Sequence, residues 1–105
     1  MLITTTNTVE GRPIKKYVGL VTGEAIVGAN FVKDWFASIR DVVGGRTTGY
    51  EETLRDARAM AFGEMIKEAA AYNANAIIGV DIDYEVLGRQ NGMLMVCVSG
   101  TAVLI

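Results

Sequence analysis

The final segment of the chain, residues 93–105, most constrains its fold. Once Ser99 and Thr101 are set aside, the segment is apolar at both odd and even positions. Because successive side chains of a strand point to opposite faces of a sheet, such a strand must be covered on both sides, either in the centre of a sheet or at an interface. Half of the 105 residues are hydrophobic, more than the thin core of so small a domain easily hides. We therefore expect copies of the chain to cover one another as a homo-oligomer.

Three further strands are predicted. Residues 2–5 form a short strand, and residues 14–27 a long β-branched one in which Gly19 and Gly23 indicate a bend or bulge. A third strand over Ala76–Leu87 alternates between two faces. One face carries Ile78, Val80, Ile82, Tyr84 and Val86, and the other Ile77, Gly79, Asp81, Asp83 and Glu85. A hairpin loop ending in Asn91-Gly92 joins this strand to the last one.

Two amphipathic helices are predicted between the second and third strands. The first covers residues 31–43, with Asn30 as its N-cap, Gly44 as its C-cap and its large apolar side chains within an arc of roughly 140°. The second begins with a capping-box pattern, Thr48-x-x-Glu51, and runs from Gly49 to about Tyr72, where Asn73 ends it in a left-handed conformation. Its apolar stripe comprises Leu54, Ala57, Ala61, Met65, Ala69 and Tyr72.

By wheel angle, Arg58 falls inside this apolar arc, between Met65 and Ala69. A buried guanidinium needs a carboxylate partner, because an unpaired buried charge is very costly. We therefore predict an ion pair of Arg58 buried at a subunit interface. Replacing Arg58 by Ala should then weaken the assembly, at a cost of roughly 3 kcal/mol.

These elements predict one α+β domain over residues 1–105. The order is β-β-α-α-β-β, with two helices packed on one face of a mainly antiparallel sheet. No repeat, linker or low-complexity tract divides the chain.

Composition excludes several classes of function. The formal net charge is −2 and no basic cluster stands out, so nucleic-acid binding is disfavoured. The N-terminus lacks the pattern of a signal peptide, and residues 93–105 are too few to span a bilayer. A single cysteine fits a reducing compartment, so we expect a cytoplasmic protein. Without any histidine, no Ser-His-Asp or Cys-His set exists, and no catalytic residue is predicted.

Two rows of side chains are candidate metal ligands. Met93, Met95 and Cys97 share one face of the last strand, and thioethers with a thiolate suit Cu(I); the alternative is that they fill gaps in a core. Asp81, Asp83 and Glu85 align three oxygen ligands suited to Ca²⁺ or Mg²⁺. The alternative for this second row is a solvated strand face, or partners for Arg46, Arg55 and Arg58. No other cofactor is predicted.

One loop is a candidate anion site. Gly44, Gly45, Arg46 and Thr48 offer backbone N–H groups, a guanidinium and the N-terminus of the second predicted helix. The loop lacks the spacing of a phosphate-binding P-loop, and the glycines also serve as a C-cap and a turn. A purely structural role stays open beside the binding role.

The chain resembles the YbjQ-like family of uncharacterised bacterial proteins. The resemblance lies in GAN at 28–30, SIRDVVGGR at 38–46, YE at 50–51, ANAIIGVDIDYE at 74–85 and VSGTAV at 98–103. It implies a dodecin-like α+β subunit that assembles into homopentameric rings, which may pair into decamers. It also brings the family label "putative heavy-metal-binding", which names no ligand residue.

Two functions therefore remain open. One is a non-enzymatic, ring-forming binding protein for a small ligand or partner; the alternative is a heavy-metal or divalent-cation binding protein. An enzyme with a site shared between subunits has the least support.

Overall fold

A computed structural model describes residues 1–28, 48–88 and 92–105, without the side chains of residues 48–50. It confirms the α+β class. Its elements are β1 (Leu2–Ile3), β2 (Lys16–Val27), α1 (Thr48–Ala71), β3 (Ala76–Leu87) and β4 (Met93–Leu104). The helix predicted over residues 31–43, its caps Asn30 and Gly44, and Asn91 of the hairpin loop lie outside the described residues. One helix, rather than two, is therefore established.

The sheet is mixed, with the strand order β1-β3-β4-β2. β4 lies between β2 and β3 and is antiparallel to both, so the prediction of a central last strand is confirmed. β1 pairs in parallel with β3, at Leu2 and Ile3. Two of the three strand pairings are thus antiparallel, as a mainly antiparallel sheet predicts, and the parallel pair is possible because the long connection between β1 and β3 allows a crossover.

The helix α1 packs on the front face of the sheet, mainly over β2 and β4. Ala57, Ala61, Met65 and Ala69 are buried, as the apolar stripe predicts. The expectation for Tyr72 is wrong. Its side chain is 58% exposed, because α1 ends at Ala71 and Asn73, at φ 62°, turns the chain towards β3.

The two glycines of β2 have different roles. The register of β2 against β4 shifts between Tyr17 and Gly19, which confirms an irregularity there. At Gly23 the pairing is regular, so the predicted bulge is absent. A Cβ on Gly23 would collide with the carbonyl of Ala61 and lie 2.9 Å from the amide nitrogen of Met65. Gly23 therefore allows α1 to lie directly against the sheet.

A bulge in β3 changes which side chains share a face. The register against β4 shifts between Ile78 and Asp81, and Gly79 has φ 59°, a conformation that glycine adopts at little cost. Ile77 and Val80 both belong to the front core, whereas Ile78 packs on the back. The predicted shared face of Ile78 and Val80 is thus wrong, because the bulge breaks the alternation.

The back face of the sheet is covered at one end only among the described residues. There Ala76, Ile78, Val103 and Ile105 form a small second core under Val9 and Ile14. The side chain of Asn75 fixes the last residue, donating to the carbonyl of Ile105 at 2.9 Å and accepting from its amide at 2.8 Å. Beyond this end, no cluster of described residues covers the back face.

Candidate functional site: the acid–thiol face

The open part of the back face brings the two predicted ligand rows side by side. Asp83 of β3 is directly opposite Cys97 of β4, Glu85 is opposite Met95, and Asp81 is opposite Ser99. Directly opposed residues of antiparallel strands share a face, with Cβ atoms about 4.5–5.5 Å apart. The sequence predicts each row separately; the strand register makes them neighbours.

A further carboxylate, which the sequence analysis does not identify, borders the same rows. Glu24 of β2 is opposite Cys97 on the other side of β4. Its exposure between buried Gly23 and Ala25 follows the period of a strand with one solvated face. The alternation within β2 can therefore predict that Glu24 is exposed, but it cannot predict that Glu24 lies beside Cys97. We call this surface the acid–thiol face, made of Glu24, Asp81, Asp83, Glu85, Met95 and Cys97.

The charges of this face act on its own titratable groups. Protonated Asp83 donates a hydrogen bond to the side chain of Asp81, and this bond and the negative charge of Asp81 raise the pKa of Asp83, with smaller contributions from desolvation and Glu85. Burial raises the pKa of the Cys97 thiol, and the four surrounding carboxylates raise it further. No cation is among the groups that shift either pKa. The face is therefore acidic, and its thiol is protonated at neutral pH and a poor nucleophile.

A single chain offers these ligands on a flat surface. Cys97 and Met95 are half-buried, Met93 is 38% exposed, and the carboxylates of Asp81, Asp83 and Glu85 are exposed. Within the ranges that the structure describes, no three His, Cys, Asp or Glu side chains stand close enough to hold a metal ion. Both ligand rows therefore stay predictions, and a cation held here needs ligands from elsewhere.

A second charged surface lies on the opposite side of the sheet. Glu51, Leu54, Arg55, Arg58 and Tyr84 line an open cavity of about 240 Å³, which we call the arginine groove. It exists because α1 lies over β2 and β4 and hardly touches β3, which leaves the front of Tyr84 uncovered.

Arg58 is exposed in the single chain rather than buried with the apolar stripe. The helical wheel gives the correct side of α1 for Arg58, because Arg58 and Tyr84 of β3 line the same cavity. The side of α1 that carries Arg58 lies near β3, which the helix hardly covers, so Arg58 is not buried between helix and sheet. An ion pair of Arg58 at a subunit interface stays a prediction.

The predicted anion loop is not among the residues that the structure describes. Gly44, Gly45 and Arg46, and the side chain of Thr48, lie outside the described residues. As for membranes, α1 is not apolar enough over a sufficient length to cross one, and it is the only helix of the described chain.

The fold and its two charged surfaces define a small α+β domain whose sheet is only partly covered by the described residues. A family model described as "putative heavy-metal-binding" matches residues 1–105. The chain therefore belongs to this family, the YbjQ-like family that the sequence motifs resemble.

A solved structure shares the fold. It is the crystal structure of a protein of unknown function from Pediococcus pentosaceus ATCC 25745 that belongs to the DUF74 family. The similarity has a TM-score of 0.58 at 21% sequence identity, and it covers 100% of this chain and 97% of the other. At this identity the similarity supports the fold alone.

Proposed function

We propose that this protein is a non-enzymatic, ring-forming homo-oligomer that binds its ligand where subunits meet. The observation that carries this proposal is the exposure of large apolar side chains on both faces of the sheet. On the back, Leu20 is 72% and Ile26 62% exposed; on the front, Tyr84 is 48% and Val86 42% exposed. Burying one such side chain fully stabilises by about 1.5–3 kcal/mol, so covering them strongly favours association.

The faces of the sheet, rather than the edge at β2, are the surfaces available for association. Two outward amides of β2 already have partners: Thr22 donates to Glu68 Oε2 at 3.3 Å, and Glu24 to Glu64 Oε2 at 3.2 Å. These helix carboxylates oppose the addition of a further strand to this edge. A dodecin-like subunit with a second helix, in rings of five that pair into decamers, is the arrangement that the family resemblance suggests. The single cysteine agrees with a cytoplasmic ring.

Sedimentation equilibrium of the untagged protein at micromolar concentration tests the ring. With a subunit of 11.3 kDa, a pentamer has five times that mass. Ile26→Glu should dissociate it, because the change replaces an exposed apolar side chain of the back face, which association would cover, by a charge that is costly to bury. The matched control is Met60→Glu on α1, where Met60 is similarly exposed at 67%, and it should keep the wild-type mass. A stable folded wild-type monomer would refute the proposal.

A second candidate function is the binding of a heavy-metal or divalent cation. The observation that favours it is the pairing of Asp83 with Cys97 and of Glu85 with Met95, which joins hard and soft ligands on one acidic surface. The family description agrees with it. A bound cation would relieve the repulsion among the carboxylates, and a bound soft metal would favour the thiolate of Cys97.

Titration of protein purified without a His tag separates this candidate from the first. Cu(I), Zn²⁺ and Ca²⁺ are added in turn, and uptake is measured by metal analysis after dialysis. Cys97→Ser should selectively reduce Cu(I) or Zn²⁺ binding, and Asp83→Asn should reduce Ca²⁺ binding. No uptake at low micromolar concentration rules the candidate out.

A further inference from the structure

We infer that the arginine groove of one subunit receives the acid–thiol face of the next subunit, in a head-to-tail contact that repeats around the ring. The inference rests on the proposed oligomer and specifies its contact. In this contact, each of the two charged surfaces is covered by a second copy of this chain.

The first argument is charge complementarity. Arg55 and Arg58 line the groove together with one carboxylate, Glu51, and neither arginine makes an ion pair within the described residues. The acid–thiol face carries four carboxylates, and no described cation relieves their repulsion. The groove lies on the front and the carboxylates on the back, so the sheet separates them within one chain. Two copies can pair what one copy cannot.

The second argument is spacing. Arg55 and Arg58 are three residues apart on α1, so they lie on the same side of the helix, about 5–6 Å apart at Cβ. Alternate residues of a strand, such as Asp81 and Asp83, are about 7 Å apart. Two guanidiniums therefore match two successive carboxylates of the row, and each can be bidentate.

The third argument concerns the apolar side chains beside the charges. Leu54 and Tyr84 line the groove, while Ile26 borders the acid–thiol face directly beside Met95. Docking the two surfaces buries apolar area together with the ion pairs. The free-energy cost of removing water from the charges is then offset both by the hydrophobic contact and by the ion pairs.

The symmetry of the assembly follows from these surfaces. A contact between two different patches is heterologous, and repeating it closes into a ring when the rotation allows. A two-fold dimer through the back faces would instead place the carboxylates of one copy against those of the other. Like-charge contact of this kind opposes that dimer.

Two double variants test the contact directly. The groove variant is Arg55→Gln with Arg58→Gln, and the face variant is Asp81→Asn with Asp83→Asn. Each should lose the wild-type mass in sedimentation, because each lacks one of the two surfaces. Mixed in equal amounts, they should form a heterodimer of twice 11.3 kDa, since only the intact groove of one and the intact face of the other can pair.

A control and a second readout complete the test. The pair Arg12→Gln with Lys67→Gln removes two charges elsewhere and should leave the mass unchanged. Circular dichroism shows whether each variant folds. Independently of any variant, the wild-type ring should dissociate more readily as salt rises from about 0.05 M to about 1 M, because screening shortens the reach of charges.

The outcomes distinguish this contact from the proposed function. If wild type forms a ring but both double variants keep its mass, the inference is wrong while the oligomer stands. Dissociated variants that give no heterodimer on mixing also overturn it. A monomeric wild type instead refutes the oligomer itself.

Discussion

The two halves of β3 differ in almost every respect, although they belong to one strand. Ala76, Ile77 and Ile78 are all buried, on both faces of the sheet. Beyond Val80, Asp83, Tyr84 and Val86 are exposed on both faces. The first half lies between the front core and the small back core, whereas the described part of the chain supplies no such cover for the second. One end of β3 is thus covered by the chain itself, and we propose that a neighbouring copy covers the other.

The largest expected effect comes from truncating one apolar side chain in each half. Ile77→Ala removes a side chain with no exposure and should cost about 3–4 kcal/mol of unfolding free energy, by lost burial and a cavity. Val86→Ala, at 42% exposure, should cost about 1 kcal/mol or less in a dissociated chain. Urea unfolding of both variants, in the background of the Ile26→Glu substitution, measures this difference. Equal losses would show that the two halves are equally packed.

The bulge that separates the halves should give the next largest effect. Gly79→Ala places a Cβ at φ 59°, which costs about 1–2 kcal/mol. The nearest atom to that Cβ would be Asn7 Oδ1, at 3.7 Å, so the penalty comes from the backbone rather than from a collision. Gly63→Ala in α1, where nothing lies nearby, is the matched control and should stabilise by about 1 kcal/mol. If Gly79→Ala does not lower the thermal midpoint, the left-handed conformation is absent.

A smaller effect concerns how the stability of the fold depends on pH through Asp83, in the exposed second half of β3. The pKa of Asp83 is raised in the folded chain, so the folded state keeps this proton to higher pH than the unfolded state. The associated stability is present below the ordinary value of 3.8 and is lost as the pH rises through the folded pKa. In the background of the dissociating Ile26→Glu substitution, where no neighbouring arginine pairs with Asp83, Asp83→Asn should remove this loss, so the chains with Asp83 and with Asn in its place should diverge in melting temperature as the pH rises. Parallel curves would contradict the coupling to Asp81.

The smallest effect should be seen in the reactivity of the only thiol. Because burial and carboxylates raise the pKa of Cys97, its alkylation by iodoacetamide at pH 8 should be slower in the folded protein than in urea. Asp83→Asn removes one of the carboxylates and should partly restore the rate. A folded-state rate equal to that in urea would contradict the acid–thiol arrangement.

The sequence predicts what depends on local signals. The third strand is found at its predicted bounds, Ala76–Leu87, because the apolar residues at its start and the alternation from Val80 onward both favour a strand. The helix α1 begins within one residue of its predicted start, and Asn73 ends it in the left-handed conformation as expected. Capping patterns and apolar periodicity act over a few residues, so they can be read without knowing the tertiary structure.

The errors arise where distant parts of the chain meet. The bulge at Gly79 coincides with pairing of its amide to the carbonyl of Thr6, at 2.8 Å, and nothing near Gly79 in the sequence reveals this partner. The neighbour of Glu24 is known only from the register of β2 with β4. For Arg58, exposure depends on where α1 crosses the sheet, which its helical wheel cannot define.

Hydroxyl-radical footprinting of the assembled wild-type protein tests the central claim most directly, that neighbouring subunits cover the second half of β3. Tyr84 and Tyr72 have the same chemistry and similar exposure in the single chain, 48% and 58%. The account predicts that Tyr84 is modified several-fold more slowly than Tyr72 at micromolar concentration, and that the two rates converge in the groove variant. Similar rates for both tyrosines in the wild-type protein would contradict it.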